Sequence, residues 1–193
     1  MIRILIVDDH PALRAGLTAV LRAEPGLVPV DAAASVHELW PALHRTRPDV
    51  VVLDYHLPVD DGLVVCRRMK RELLAPAVLL YSAYADASLM IPALLAGVDG
   101  LVSKASPANE LYDAIRRIAR GERVLPQLSR ELLDTAGAQL DPDDLPILGM
   151  ALDHTPLVEI AATLGIQPTA AERRLDRMIA RLKIDVPVSH AAE

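Results

Sequence analysis

Five times in its first 121 residues the chain repeats one unit, a short aliphatic run followed by an amphipathic helical pattern. The runs are residues 2–7, 28–33, 50–53, 78–81 and 100–102. The helical patterns span 13–21, 36–43, 63–74, 87–96 and 108–120, the last with Leu111, Ile115 and Ile118 on one face. Runs this short and this apolar predict strands buried on both faces. Their alternation with helices predicts a parallel sheet covered by a helical layer on each side. The fold class expected for residues 1–121 is therefore α/β and doubly wound, with five parallel strands and five helices, and the flavodoxin-like strand order 2-1-3-4-5 is one of the two common for such sheets. Only 3% of residues are aromatic against 52% hydrophobic, so aliphatic side chains must fill the core.

Gly121 suits the left-handed position that ends the fifth helix. Residues 122–139 read as a linker with a short helix. A different pattern then begins and runs to residue 193. Asp141, Pro142, Asp143 and Asp144 predict one helix start, with acids near the positive end of the helix dipole. Thr155 and Pro156 predict a second, as N-cap and first helical residue. Thr169 and Glu172 have capping-box spacing and predict a third. Three short helices with a tight turn at Gly165 predict a small all-α helix-turn-helix domain.

Other function classes are narrowed by composition. The single cysteine, Cys66, excludes an internal disulfide and fits a reducing compartment. No apolar stretch approaches a membrane span, and the run at Ile4–Val7 is too short for a signal peptide. A cytoplasmic location without membrane association is expected. The six histidines form no close pair, which disfavours a metal site built on His and Cys. The net charge is −6. From Pro126 onward there are 6 Lys+Arg and 11 Asp+Glu, so this end carries −5 of it.

In doubly wound sheets, function gathers beyond the carboxyl ends of the strands. Here the first strand ends in Asp8 and Asp9, the third in Asp54 and the fourth in Ser82, while Lys104 follows the fifth. The predicted order makes strands one and three neighbours, which brings the three carboxylates together. A like-charge pair at ~4 Å costs ~1 kcal/mol in water and more near protein. A hard divalent cation removes that cost, and so few protein ligands favour Mg²⁺ over a Ca²⁺ cage. The cation can also neutralise a phosphoryl group in transfer. Asp54 is then a candidate nucleophile forming an acyl phosphate. Lys104 offers a point charge to phosphoryl oxygens, and Ser82 a hydrogen bond, with small Ala83 leaving space beside it.

These pieces together resemble the receiver domain of two-component response regulators. The residues are Val7-Asp8-Asp9-His10-Pro11, Asp54-Tyr55-His56-Leu57-Pro58 with Asp61-Gly62, Ser82-Ala83, and Lys104. The resemblance implies that Asp54 accepts a phosphoryl group from a histidine kinase. It implies Mg²⁺ held by Asp8, Asp9, Asp54 and the backbone carbonyl of His56, with Ser82 and Lys104 binding the phosphoryl. It also implies a protein that can slowly dephosphorylate itself but is not a turnover enzyme. The family commonly carries a switch aromatic three residues before the lysine, and here Leu101 stands there. Tyr84 is nearby in sequence. A phosphatase of the haloacid-dehalogenase type needs a second acid two residues after its nucleophile, and here that residue is His56.

Residues 140–184 resemble the NarL/LuxR-type helix-turn-helix through Leu140-Asp141-Pro142, Glu159-Ile160-Ala161 and Leu164-Gly165-Ile166. The resemblance implies DNA binding through a recognition helix at 170–182. Thr169, Arg173, Arg174, Arg177 and Arg181 are the candidate contacts. Against this stand the acidic charge, Leu157 and Val158 where the family has Asn-Lys, and Glu172 where it has a lysine. The arginines can equally be a solvated face pairing with Glu172 and Asp176. The family's dimerising helix is interrupted by Asp185-Val186-Pro187-Val188, so a two-fold DNA site would require a homodimer formed through the receivers or through another surface. Two functions fit: a transcription regulator controlled by phosphorylation, or a phosphorylation-controlled protein-interaction module that has lost DNA binding.

Overall fold

The computed structural model describes residues 1–58, 61–83 and 87–183, without the side chains of residues 87 and 88. Contacts divide the chain into two compact units. One comprises Met1–Asp86 with Ala96–Gln127, and the other Ala87–Leu95 with Leu128 onward.

The first unit holds five strands, β1 (Ile2–Val7), β2 (Leu27–Ala33), β3 (Val50–Asp54), β4 (Ala77–Ser82) and β5 (Gly100–Ser103). They form one sheet with every pair parallel, as the alternating pattern predicts, in the flavodoxin-like order β2-β1-β3-β4-β5. Its helices are α1 (Pro11–Ala23), α2 (Val36–Thr46), α3 (Gly62–Met69) and α5 (Ala108–Ile118). Side chains alternate across the sheet. Ile4, Ile6, Val50, Val52, Leu79 and Val102 meet Leu17 and Leu21 of α1 and Leu111, Ile115 and Ile118 of α5 in one cluster. Leu5, Val51, Leu53 and Leu80 alternate to the opposite face and are fully enclosed. Both faces are apolar, which is why the strand sequences show no polar alternation. Gly121 has φ +83, the left-handed conformation expected of it.

α3 departs from the expected span of 63–74. It stops at Met69, and Leu73 and Leu74 are 97% and 82% exposed. Pro76 directly precedes β4 and biases Ala75 away from helical backbone. Lys70 closes the turn by donating to the Pro76 carbonyl at 2.9 Å and by pairing with Asp99.

The second unit includes α4 (Ala87–Ala96), whose sequence is apolar on every side. Leu89, Met90, Ile91 and Leu95 are all buried, as such a helix requires. It continues with α6 (Arg130–Gln139), a 3₁₀ turn at Pro142–Asp144, α7 (Leu145–Leu152), α8 (Leu157–Leu164) and α9 (Pro168–Leu182). Ile147, Leu148, Ile160, Ala161, Leu175, Met178 and Ile179 form the buried side of the last three. Gly165 closes α8 in the left-handed region at φ 65, producing the expected turn before α9.

Two helix starts are displaced from their expected positions. Pro156 is extended (φ −57, ψ 141) and is itself the residue before α8, so Thr155 lies one place too early to cap it. Thr155 instead continues the end of α7, its amide donating to Met150 O at 2.9 Å. Pro168 already has helical backbone, so α9 begins before Thr169 and Gln167 occupies the cap without a side-chain bond. Proline favours the first helical position because its missing N–H has no partner there anyway. Tyr84 and the interruption at Asp185–Val188 lie outside the described residues.

Candidate functional site

Adjacent parallel strands place their carboxyl ends side by side, and the expected residues converge there. Asp8 follows β1, while Asp54 ends β3 and Ser82 ends β4; their exposures are 2%, 4% and 0%. Lys104 Nζ lies 2.7 Å from Asp8 Oδ2 and 2.8 Å from Asp54 Oδ2. The Lys104 amide donates to the Ser82 carbonyl at 2.9 Å, which fixes the lysine loop beside the end of β4. Asp9 is half-buried next to them.

Burial first of all pushes the Asp54 carboxyl above the ordinary carboxylate range, and Asp8 adds to this, while Lys104 and the His56 amide act against it. Burial alone would lower the Lys104 ammonium, but its hydrogen bonds to Asp54 and Asp8 more than offset that and raise it. One ammonium thus pairs with two buried carboxylates, and the third, Asp9, lies beside them. Asp9 Oδ1 is shut from solvent and accepts no hydrogen bond. Asp8, Asp9, His10 and Asp54 each present one donor atom, all within 4.8 Å of one another. A donor set of this charge, with an orphaned buried oxygen, fits a divalent cation.

The loop after β3 explains the Asp61-Gly62 pair. The Asp61 carboxylate caps α3 by accepting from the Leu63 amide at 2.7 Å. The Gly62 amide donates to Tyr55 O at 2.8 Å, and His56 bridges to Asp61. A Cβ on Gly62 would stand 2.5 Å from Asp54 O and 2.9 Å from Tyr55 Cα, so only glycine allows this approach. The approach fixes the backbone next to Asp54 and His56.

The family model for the response regulator receiver domain matches residues 4–116. The chain belongs to the response regulators. It is 28% identical to the DNA-binding transcriptional activator DevR/DosR of Mycobacterium tuberculosis, over 96% of this chain and 90% of that one. A two-component response regulator of the LuxR family from Aurantimonas sp. superposes with TM-score 0.63 at 32% identity, covering 70% of this chain and 97% of the other. RcsB of Salmonella enterica serovar Typhimurium shares the fold at TM-score 0.58 and 18% identity, across 96% of this chain and 95% of its own.

Three residues of this regulator's pocket escape strand-end reasoning. Arg14, one turn into α1, donates to Asp8 O at 2.7 Å. His10 places Nδ1 2.7 Å from Asp9 Oδ1. Tyr81 pairs in register with Asp54, and burial raises its phenol. His10 stands beside the acids in sequence and was open to notice. Arg14 and Tyr81 carry no local signal, because only the packed fold brings them near. Leu101 is buried and Ala83 exposed.

The response regulator's α9 divides its arginines. Arg174 Nε donates to the buried Asp144 at 2.6 Å and its NH2 group to the Asp143 carbonyl. Arg181 pairs with Asp141 at 2.8 Å, and that pair, both ends exposed, raises Arg181 and lowers Asp141. Arg173, Arg177 and Thr169 are exposed, and among the described residues neither arginine makes an ion pair. Asp141, Asp144, Arg177 and Arg181 line a cavity of about 450 Å³ against Met178 and Ala180. Among the described residues no helix is long and apolar enough to cross a membrane.

Proposed function

We propose that this chain is a two-component response regulator that controls transcription, switched by phosphorylation of Asp54 by a histidine kinase. The observation that carries it is the buried Asp8–Asp54–Lys104 constellation, with ion-pair distances of 2.7 and 2.8 Å. Residues 1–121 act as receiver, 122–139 as linker and 140–193 as output domain. Asp8, Asp9, Asp54 and the His56 carbonyl hold Mg²⁺, which when bound neutralises charge on the transferring phosphoryl group. An Asp54 carboxylate oxygen attacks phosphorus, and the bond to the kinase imidazole breaks with its electron pair leaving on nitrogen. Lys104, already against Asp54, then follows the charge onto the phosphoryl oxygens. The Ser82 hydroxyl, fully buried at the end of β4, donates to the same group. The chain accepts and slowly loses a phosphoryl group and turns over no substrate. Leu101 cannot act as an aromatic rotor, so switching rests on that Ser82 hydrogen bond, worth ~1.5–3 kcal/mol. The protein acts in the cytoplasm.

The output reading is supported by the helix-turn-helix geometry and by similarity to a DNA-binding activator across 96% of the chain. Arg173 and Arg177, with Thr169, are the foremost DNA contacts, while Arg174 and Arg181 are held by acids of their own domain. Two copies paired through their receivers would read a two-fold site.

The test is acetyl phosphate labelling of wild type and Asp54→Asn, followed by salt-dependent binding to duplex DNA. Labelling of wild type alone, with tighter DNA binding after labelling, is expected. Undiminished labelling of the variant would remove Asp54 from its role. DNA binding absent at low salt in both states would favour the protein-interaction module instead.

A further inference from the structure

We propose that His10 is a direct nitrogen ligand of the divalent ion held by Asp8, Asp9 and Asp54, which gives the pocket a preference for first-row transition ions that carboxylates alone do not provide. This rests on the reading of that pocket as a metal site.

His10 is held rigidly by its backbone. It is the residue before α1, and Pro11 fixes the first helical position. Its amide donates to Asp8 Oδ1 at 2.8 Å, and its carbonyl accepts from the Arg14 amide at 3.0 Å. That backbone turns the imidazole back over the acids. Nδ1 lies 2.7 Å from Asp9 Oδ1 and 3.4 Å from Asp8 Oδ1.

Nδ1 and Asp9 Oδ1 approach to 2.7 Å without meeting the geometry of a hydrogen bond. A divalent cation bound by both would take the place of any proton between them. The spacing would let the donors face one shared ion. All four donors here lie within 4.8 Å of one another. The imidazole side chain is 70% exposed, so an ion can enter past it. Imidazole adds little for Mg²⁺, which favours oxygen, but it suits Ni²⁺, Zn²⁺ and Fe²⁺.

Two measurements on the full chain test this, with Mn²⁺ and Ni²⁺ as probes. Pulsed EPR of bound Mn²⁺ should show a directly coordinated ¹⁴N that disappears in His10→Gln. Calorimetry should show that His10→Gln weakens Ni²⁺ by at least about tenfold, the size typical even of outer-shell losses, and leaves Mg²⁺ within about threefold. Retained Mg²⁺ binding also shows that the variant is folded. Absence of nitrogen coupling in the wild type, its persistence in His10→Gln, or equal Ni²⁺ affinities would each overturn the assignment. Asp9→Asn separates the two claims. Unchanged Mg²⁺ binding there would defeat the pocket itself, whereas lost Mg²⁺ binding with a silent His10→Gln would defeat only the role of His10.

Discussion

Gly62→Ala is the sharpest probe of how the β3 loop supports Asp54. A Cβ at this position would meet three backbone atoms: Asp54 O at 2.5 Å, Tyr55 Cα at 2.9 Å and Tyr55 O at 3.0 Å. None belongs to a flexible side chain, so the strand end itself must shift. Inserting one methyl into a well-packed site costs about 1–3 kcal/mol, and here backbone contacts place it toward the upper end. The shift also has a direction. It lengthens or breaks the 2.8 Å bond from the Gly62 amide to Tyr55 O, and it moves the peptide joining Asp54 to Tyr55. Stability and site chemistry should therefore fall together. Urea denaturation should show a loss of about 2–3 kcal/mol. Mg²⁺ affinity and acetyl phosphate labelling should drop in the same variant under conditions where it remains folded. A variant within about 0.5 kcal/mol of wild type, the range of an ordinary surface change, and with unaltered Mg²⁺ affinity would refute the reasoning.

Asp54→Asn should stabilise the metal-free protein at neutral pH. Burial raises the Asp54 carboxyl in the folded state, so its contribution to stability is present below the ordinary carboxylate range and lost as pH rises through the raised folded value. The non-titrating variant escapes that loss, and its advantage should shrink as urea midpoints are followed into acid. Arg173→Ala and Arg177→Ala should each reduce the salt slope of DNA binding by about one, measured by anisotropy between low and moderate salt. Arg174→Ala should instead destabilise the helical unit by about 2–3 kcal/mol, because it strands the buried Asp144, with part of the usual 3–5 kcal/mol relieved by solvent near Arg174. Cys66 is fully buried and its thiol is pushed up to about 12, so a thiol reagent at pH 8 should label it only after unfolding.

The strand positions and the convergence of Asp8, Asp54, Ser82 and Lys104 were legible because both rest on local pattern plus one topological rule. Apolar runs report burial on two faces, and parallel order then dictates which strand ends meet. Helix boundaries were less legible. Residues 63–74 satisfy helical periodicity throughout, yet α3 ends at Met69, where the Lys70 side chain turns toward Pro76 and Asp99. Asp99 is 29 residues from Lys70, and no local pattern encodes that partnership. The same limit hid the roles of the α9 arginines. Spacing alone suggested pairing with Glu172 and Asp176 along the helix, whereas Arg174 reaches Asp144 across 30 residues.

That division of arginines changes how the acidic output domain should be weighed. Net charge treats every cation alike, but Asp144 and Asp141 form ion pairs with Arg174 and Arg181. Arg173 and Arg177 are left as the exposed cations of α9 without an ion pair among the described residues. Two phosphate contacts give a salt slope of only about −1.8 on duplex DNA. One copy would then bind DNA weakly and lose that grip at moderate salt. Two copies joined through their receivers double the slope to about −3.6 and present the second domain at high effective concentration. Under the proposed function, an output domain this poor in available cations would make DNA binding depend on association, which phosphorylation of Asp54 would control. The acidic output domain would then sharpen the switch, because a domain that binds too weakly alone would stay off DNA until its receiver is paired.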